Sequence, residues 1–264
     1  MQNTLQIPNV RTLAVFTLLS VIVYVTGTFT GIDWAVFFHD FKSSYSPPAR
    51  YLRTLLCAFL AFLAWGYGLT RRDQQLLWTA FVAICIADFL LILAEKFIAG
   101  VAVFLVVHLI LTVRHAQGFK ESLAPEYRYH TIRYLILSAL LIFIPGTLMI
   151  IVAGPALEKS HMEGLDIVYM VVLMTSAWMA WGTLARPFYK PLNAWLIAVG
   201  MSFFFFCDIS LGLSHVFSTS NPFLSDVFGL VPDLTYSTAL SMVALSGFAW
   251  SKAPPAEEEG LIAA

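Results

Sequence analysis

The chain has 264 residues, 59% of them hydrophobic and 12% charged, and its mean hydropathy is +0.79. A soluble domain of this length coats itself with about a quarter charged residues, so a soluble globular fold is excluded. Lys plus Arg number 15 against 16 Asp plus Glu, which leaves no polybasic footprint for nucleic acid.

Apolar segments of roughly 17–25 residues, each able to cross ~30 Å of hydrocarbon as a helix, follow one another along the chain. They are 12–30, 51–69, 75–94, 97–113, 131–152, 164–183, 193–216 and 231–249. The expected fold is therefore an all-α membrane protein, a bundle of about eight transmembrane helices in one polytopic domain, residues 1–251. The first segment follows a single positive charge, Arg11. Its apolar run is too long for a signal peptide and no small-residue cleavage pattern follows, so it counts as a span. Only Glu95-Lys96 separates the third segment from the fourth, which predicts a tight helical hairpin. Cys57, Cys85 and Cys207 lie inside apolar runs and read as small packing residues. The tail 252–264, with Pro254-Pro255 and Glu257-Glu258-Glu259, buries nothing and reads as disordered.

With the N-terminus inside, ten Lys and Arg fall in inner loops, among them Arg71, Arg114 and Arg186. Five fall outside: Lys42, Arg50, Arg53, Lys96 and Lys159. The bias predicts a multi-pass protein of the cell membrane with both termini cytoplasmic. Trp78, Trp181, Trp195 and Trp250 sit near the proposed inner boundary, as an aromatic belt requires. A weak internal repeat overlies these spans. Asp88, Leu91, Leu93 and Phe97 align with Asp208, Leu211, Leu213 and Phe217, every pair 120 residues apart. Ala64-Trp65-Gly66 also aligns with Ala180-Trp181-Gly182, at an offset of 116. The halves would then be two parallel four-helix repeats. Chance matching of leucine and phenylalanine in apolar sequence is the alternative.

An ionisable side chain at mid-membrane costs about 2.5–3.5 kcal/mol and is functional by default. Asp88, His108 and Asp208 lie clearly inside the segments, at ~10, ~17 and ~13 Å from the outer boundary by helical rise. One site, or three separate interhelical hydrogen bonds of about 1 kcal/mol each, accounts for them. Asp88 shares a helix face with Glu95, and Asp208 with His215. Glu95 and His215 read either as the mouth of a polar pocket or as a solvated rim. Tyr169 and Tyr236 read as pocket hydroxyls or as packing residues with satisfied tips.

Several chemistries lack their residues. No lysine lies inside a segment, so a retinal Schiff base has no attachment point. One mid-membrane histidine leaves no bis-histidine haem pair. H-E-x-x-H, G-x-S-x-G and the phosphate-cradling G-x-x-x-x-G-K-[ST] are all missing. A metal held by Asp88, Asp208 and His108 lacks a fourth ligand and a spacing signature. No cofactor is expected.

Ala87-Asp88 followed by leucines, then Gly100, Phe104 and His108-Leu109 in the pattern G-x-x-x-F-x-x-x-H-L, resembles the YhhN-like lysoplasmalogenase family of integral membrane proteins. Phe205-Phe206-Cys207-Asp208 resembles that family's second motif, and Asp166 with Tyr169 and Leu234 with Tyr236 sit where it has tyrosines. The resemblance spans roughly residues 75–113 and 165–248. Ala87 and Cys207 depart from the glycine and serine that precede the family's aspartates. Leu111 and Leu240 stand where tyrosine and glutamine are common.

The resemblance implies eight helices and an ether hydrolase. It would cleave the vinyl ether of a lysoplasmalogen to a fatty aldehyde and a glycerophospho-headgroup. Its partners would be a lysophospholipid substrate and the bilayer. Asp88, Asp208 and His108 would be the catalytic set, with Tyr169, Tyr236, Glu95 and His215 lining the pocket. The reaction starts with protonation of an alkene carbon and needs a carboxylic acid together with a carboxylate. Two rival readings are an ion-coupled carrier and a non-catalytic lipid-binding protein. A carrier expects broken helices at its acids. Neither aspartate adjoins a proline or glycine interruption, and Pro145 is expected to break helix 5 instead.

Overall fold

A computed structural model describes residues 47–64, 68–160, 163–218 and 221–250. The expected segment 12–30 and the tail 252–264 lie outside the described residues, as do Trp65 and Gly66 of the repeat.

The described chain is helical: α1 (Pro47–Phe62), α2 (Arg71–Asp88), α3 (Phe97–His115), a short α4 (Phe119–Ser122), α5 (Pro125–Ser160), α6 (Glu163–Gly182), α7 (Pro191–Phe217) and α8 (Pro222–Leu245). A π turn, Phe89–Leu93, extends α2, and a 3₁₀ turn, Thr183–Ala185, follows α6. Among the described residues, six helices are long and apolar enough to span a membrane: α2 with its π turn, α3, α5, α6, α7 and α8. Their outward faces are apolar, with Val82, Ile86, Leu140, Leu141, Ile144 and Phe206 all exposed. That is the surface hydrocarbon demands, and the protein is a multi-pass all-α membrane protein.

Local chemistry sets the ends of the helices. Thr70 caps α2 by accepting from the Asp73 amide at 3.1 Å, and Asn221 caps α8 by accepting from Leu224 at 3.2 Å. Pro125, Pro191 and Pro222 open their helices, where the missing N–H has no partner to lose. The Asn221–Pro222 cap starts α8 nine residues before the expected 231. The polar stretch around Ser225 and Asp226, read as loop, is helix instead. α1 stops at Phe62, before the expected 69. Side chains of α2 take carbonyls at and just beyond this end: Trp78 Nε1 donates to Ala61 at 3.1 Å and Gln74 Nε2 to Ala64 at 2.7 Å. Pro145 does not break its helix, for α5 runs continuously through it. The interruption lies instead in the π turn that begins right after Asp88.

Packing joins α1, α2, α3, α6, α7 and α8 into a closed circle, each touching the next and α8 returning to α1. α5 lies outside the circle against α6 and α7. The α2–α3 turn is as tight as Glu95-Lys96 predicts, and Glu95 adopts a left-handed conformation with φ 53°. The Lys96 amide turns back to the Leu90 carbonyl at 2.7 Å. Gly100 lets α3 approach: a Cβ there would collide with the Leu91 side chain and lie 3.3 Å from the Ala87 carbonyl oxygen.

A buried lock closes the end opposite Glu95. Arg114 donates from Nε and Nη2 to the two carboxylate oxygens of Asp73, each at 3.0 Å, and from Nη1 to Ser246 at 2.9 Å. Asn193 donates to the carbonyls of Ser246 and Phe248, both at 2.7 Å. Tyr189 donates to the Arg114 carbonyl at 2.5 Å, and Arg186 donates to the His115 carbonyl. Arg114 and Arg186, counted above as inner-loop charges, are thus buried at helix ends.

Candidate active site

Each helix of the closed circle contributes to one polar interior. α7 brings Asp208, α3 His108 and α6 Tyr169. The Tyr169 hydroxyl donates to Asp208 Oδ2 at 2.6 Å, and His108 Nε2 lies 3.3 Å from the same oxygen. Tyr169 is also 3.4 Å from His108 Nε2, so the three groups converge on one point. His108 is fully buried, and its Nδ1 has no hydrogen-bond partner among the described residues. The Asp208 side chain keeps 13% of its surface exposed.

Asp88 forms the second cluster with α8 and α1. Tyr236 donates its hydroxyl to Asp88 Oδ2 at 2.8 Å, and Thr54 donates to that same oxygen. The Arg53 guanidinium carbon lies 5.3 Å from the centre of the Tyr236 ring. Arg53 is therefore no outer-loop charge: it sits on the buried face of α1 at 8% exposure. The apolar positions Cys57, Leu60, Ala61 and Ala64 continue that face.

Phe204 connects the two clusters. Its ring meets His108 edge-on at 5.0 Å and Tyr236 at 5.7 Å. Phe104 packs on Phe204 at 6.1 Å and on Tyr236 at 6.5 Å. Phe204 stands one turn before Asp208 and Phe104 one turn before His108, so each aromatic shares a face with a polar group. Tertiary packing thus makes two acids, two tyrosines and one imidazole neighbours around one apolar ring.

Asp88 is the last residue of the regular α-helix before the π turn. The wider turn closes through the Ala94 amide on the Phe89 carbonyl at 2.9 Å. Such turns cluster at functional positions because they re-aim a side chain at little cost to the rest of the helix. On the lipid-facing flank of α1 and α2, an apolar cleft of about 260 Å³ is lined by Tyr51, Phe62, Val82, Cys85, Ile86 and Phe89, the last next to Asp88 in the chain.

The structure brings together Asp88, Asp208, His108, Tyr169 and Tyr236. Glu95 is exposed in the turn, where it shapes the backbone. The side chains of His215 and Asp166 lie outside what is described. Thr54, Arg53 and Phe204 were not singled out from the sequence. Arg53 had a signal, a charge on the apolar face of a helix; Thr54 had none. The four departures Ala87, Leu111, Cys207 and Leu240 are all buried, filling core positions with apolar or weakly polar atoms. Among the described residues, no three His, Cys, Asp or Glu side chains are grouped to hold a metal ion.

Residues 49–246 match the sequence model described as the YhhN family. No curated protein and no solved structure matches the chain.

Proposed function

The chain belongs to the YhhN family, and on that premise we propose that it hydrolyses the vinyl ether bond of lysoplasmalogen-type lysolipids. One observation carries the reading: two intramembrane carboxyl groups, each held by a tyrosine hydroxyl, face one interior on either side of Phe204. A carboxylic acid protonates the alkene carbon one removed from the ether oxygen, and the neighbouring carbon becomes an oxocarbenium-like centre. Water adds to that centre and loses a proton to a base. The resulting hemiacetal collapses to the aldehyde, and the glycerol oxygen leaves as a hydroxyl. One water is consumed and no redox partner is needed.

The side chains fit these roles. One aspartate delivers the proton and the other steadies the cation or receives the proton of the attacking water. With its Nε2 turned to Asp208 Oδ2, the His108 imidazole orients that carboxyl and can exchange a proton with it. The apolar cleft on the flank of α1 and α2 suits the single hydrocarbon chain of a lysolipid entering from the bilayer.

Detergent-purified protein should release fatty aldehyde from alkenyl lysolipids and none from acyl lysolipids. Asp88→Asn and Asp208→Asn should each abolish most turnover per folded molecule, and the double variant should lose little more. Near-wild-type turnover in either single variant overturns the two-aspartate mechanism.

An ion-coupled carrier is the second reading, and the π turn at Asp88 is the observation that favours it. It is a helix interruption at an intramembrane acid. Gradient-driven flux in proteoliposomes without aldehyde release would select that reading.

A further inference from the structure

We infer that Arg53 binds the phosphate of the substrate headgroup and so makes the enzyme select phosphorylated alkenyl lipids over neutral ones. The inference rests on the vinyl ether reading and deepens it. Arg53 lies in the second turn of α1, near the helix end level with the Glu95 turn. Its side chain points into the bundle rather than toward lipid, at 8% exposure. The guanidinium stacks over the Tyr236 ring at 5.3 Å, and that ring's hydroxyl donates to Asp88 at 2.8 Å. One aromatic ring therefore separates a buried cation from a site carboxylate.

The substrate is long enough to reach both groups. In a lysoplasmalogen, the phosphorus lies about six covalent bonds from the reacting vinyl carbon, ~7 Å when extended at ordinary bond lengths. With the vinyl ether at Asp88, the glycerol arm reaches past the Tyr236 ring toward Arg53. The chemistry agrees as well. The carboxylate that the reaction requires gives the interior negative charge, which repels a phosphate unless a fixed cation receives it. Arginine presents five donors in a planar fork and holds phosphate through paired, charge-assisted hydrogen bonds. That number suffices to take a phosphate while Arg53 keeps the contacts it already makes. Stacking on Tyr236 fixes the plane of the fork, so less freedom is lost on binding.

The test compares two substrates on the same protein: an alkenyl glycerophosphoethanolamine, and the alkenylglycerol that lacks the phosphate. Arg53→Gln should raise KM for the phosphorylated lipid about tenfold or more. The loss in kcat/KM should be about tenfold or more greater on the phosphorylated lipid than on the neutral one, and Arg53→Lys should recover part of it. A residue that only props Tyr236 and Asp88 would lower kcat on both lipids alike, and that result overturns the inference. Wild-type protein provides an independent arm should the variant fail to fold. Glycerol 3-phosphate should inhibit hydrolysis of the neutral lipid competitively, and no inhibition at millimolar concentration overturns the inference. Wild-type protein that releases aldehyde from neither lipid overturns the vinyl ether reading itself, and this inference with it.

Discussion

Tyr236→Phe removes one oxygen from the interior and leaves everything else about the side chain in place. The phenyl ring still packs on Phe204 and Phe104, and Arg53 still stacks above it. What disappears is the O–H that donates to Asp88 Oδ2 at 2.8 Å. A buried hydrogen bond to a charged group contributes about 1.5–3 kcal/mol, and one to a neutral group about 0.5–1.5 kcal/mol. The loss therefore reports the charge carried by Asp88 as well as the bond. With Thr54 still donating, a carboxylate at position 88 predicts about 2 kcal/mol. In a protein of this size that lowers the midpoint of thermal unfolding in detergent by roughly 3–10 °C. Thr54→Val removes the other donor to the same oxygen, so the two losses should couple by at least ~0.5 kcal/mol in a double-mutant cycle. A Tyr236→Phe protein that melts with the wild type, with strictly additive behaviour in the cycle, would refute the claim that these hydroxyls anchor Asp88.

Three further outcomes follow from the geometry. His108→Gln should slow aldehyde release more than about tenfold with little change in yield, since glutamine keeps a donor but cannot shuttle a proton; unchanged turnover would return His108 to a packing role. Glu95→Gly should raise thermal stability by about 1 kcal/mol, because glycine adopts the left-handed conformation without the Cβ penalty; a lower melting point would mean the carboxylate makes a contact of its own. Asp73→Asn leaves the Arg114 guanidinium buried without its counter-charge and should cost about 3–5 kcal/mol, read as a large drop in melting temperature or loss of folded protein.

Six of the expected spans, and the acids within them, were legible because lipid enforces simple rules on a sequence. A run of apolar residues long enough to cross the bilayer has few alternatives to a helix, and an aspartate within it stands out against its neighbours. Asp88, His108 and Asp208 were found by that contrast, and the structure joins His108 to Asp208. What sequence could not supply was the rotation of one helix against another. Thr54 is an ordinary hydroxyl until α1 turns it toward α2, and Phe204 is one of several consecutive phenylalanines until packing selects it. Helix ends were misjudged where a side chain overruled hydropathy. Asn221 starts α8 early, and Trp78 and Gln74 end α1. Arg53 and Arg114 were assigned to loops because charge at the edge of an apolar run usually snorkels to water. Both instead turn inward, Arg114 to a carboxylate and Arg53 to an aromatic ring.

A phenyl ring conducts no protons. Phe204 carries no exchangeable hydrogen and no lone pair, so the contacts from Asp208 through His108 to Phe204 and on to Tyr236 and Asp88 form a chain with an insulating link. In the proposed reaction the two acids would then exchange protons by separate routes, and each cycle would rebalance them through water or through the product itself. On that mechanism the proton given up at one aspartate would travel with the substrate, and the one released by the attacking water would be collected at the other. Replacing Phe204 by a hydroxylated ring would bridge the two sides. The signature of that short circuit would be a changed solvent isotope effect on turnover, with binding of the lipid left as it was.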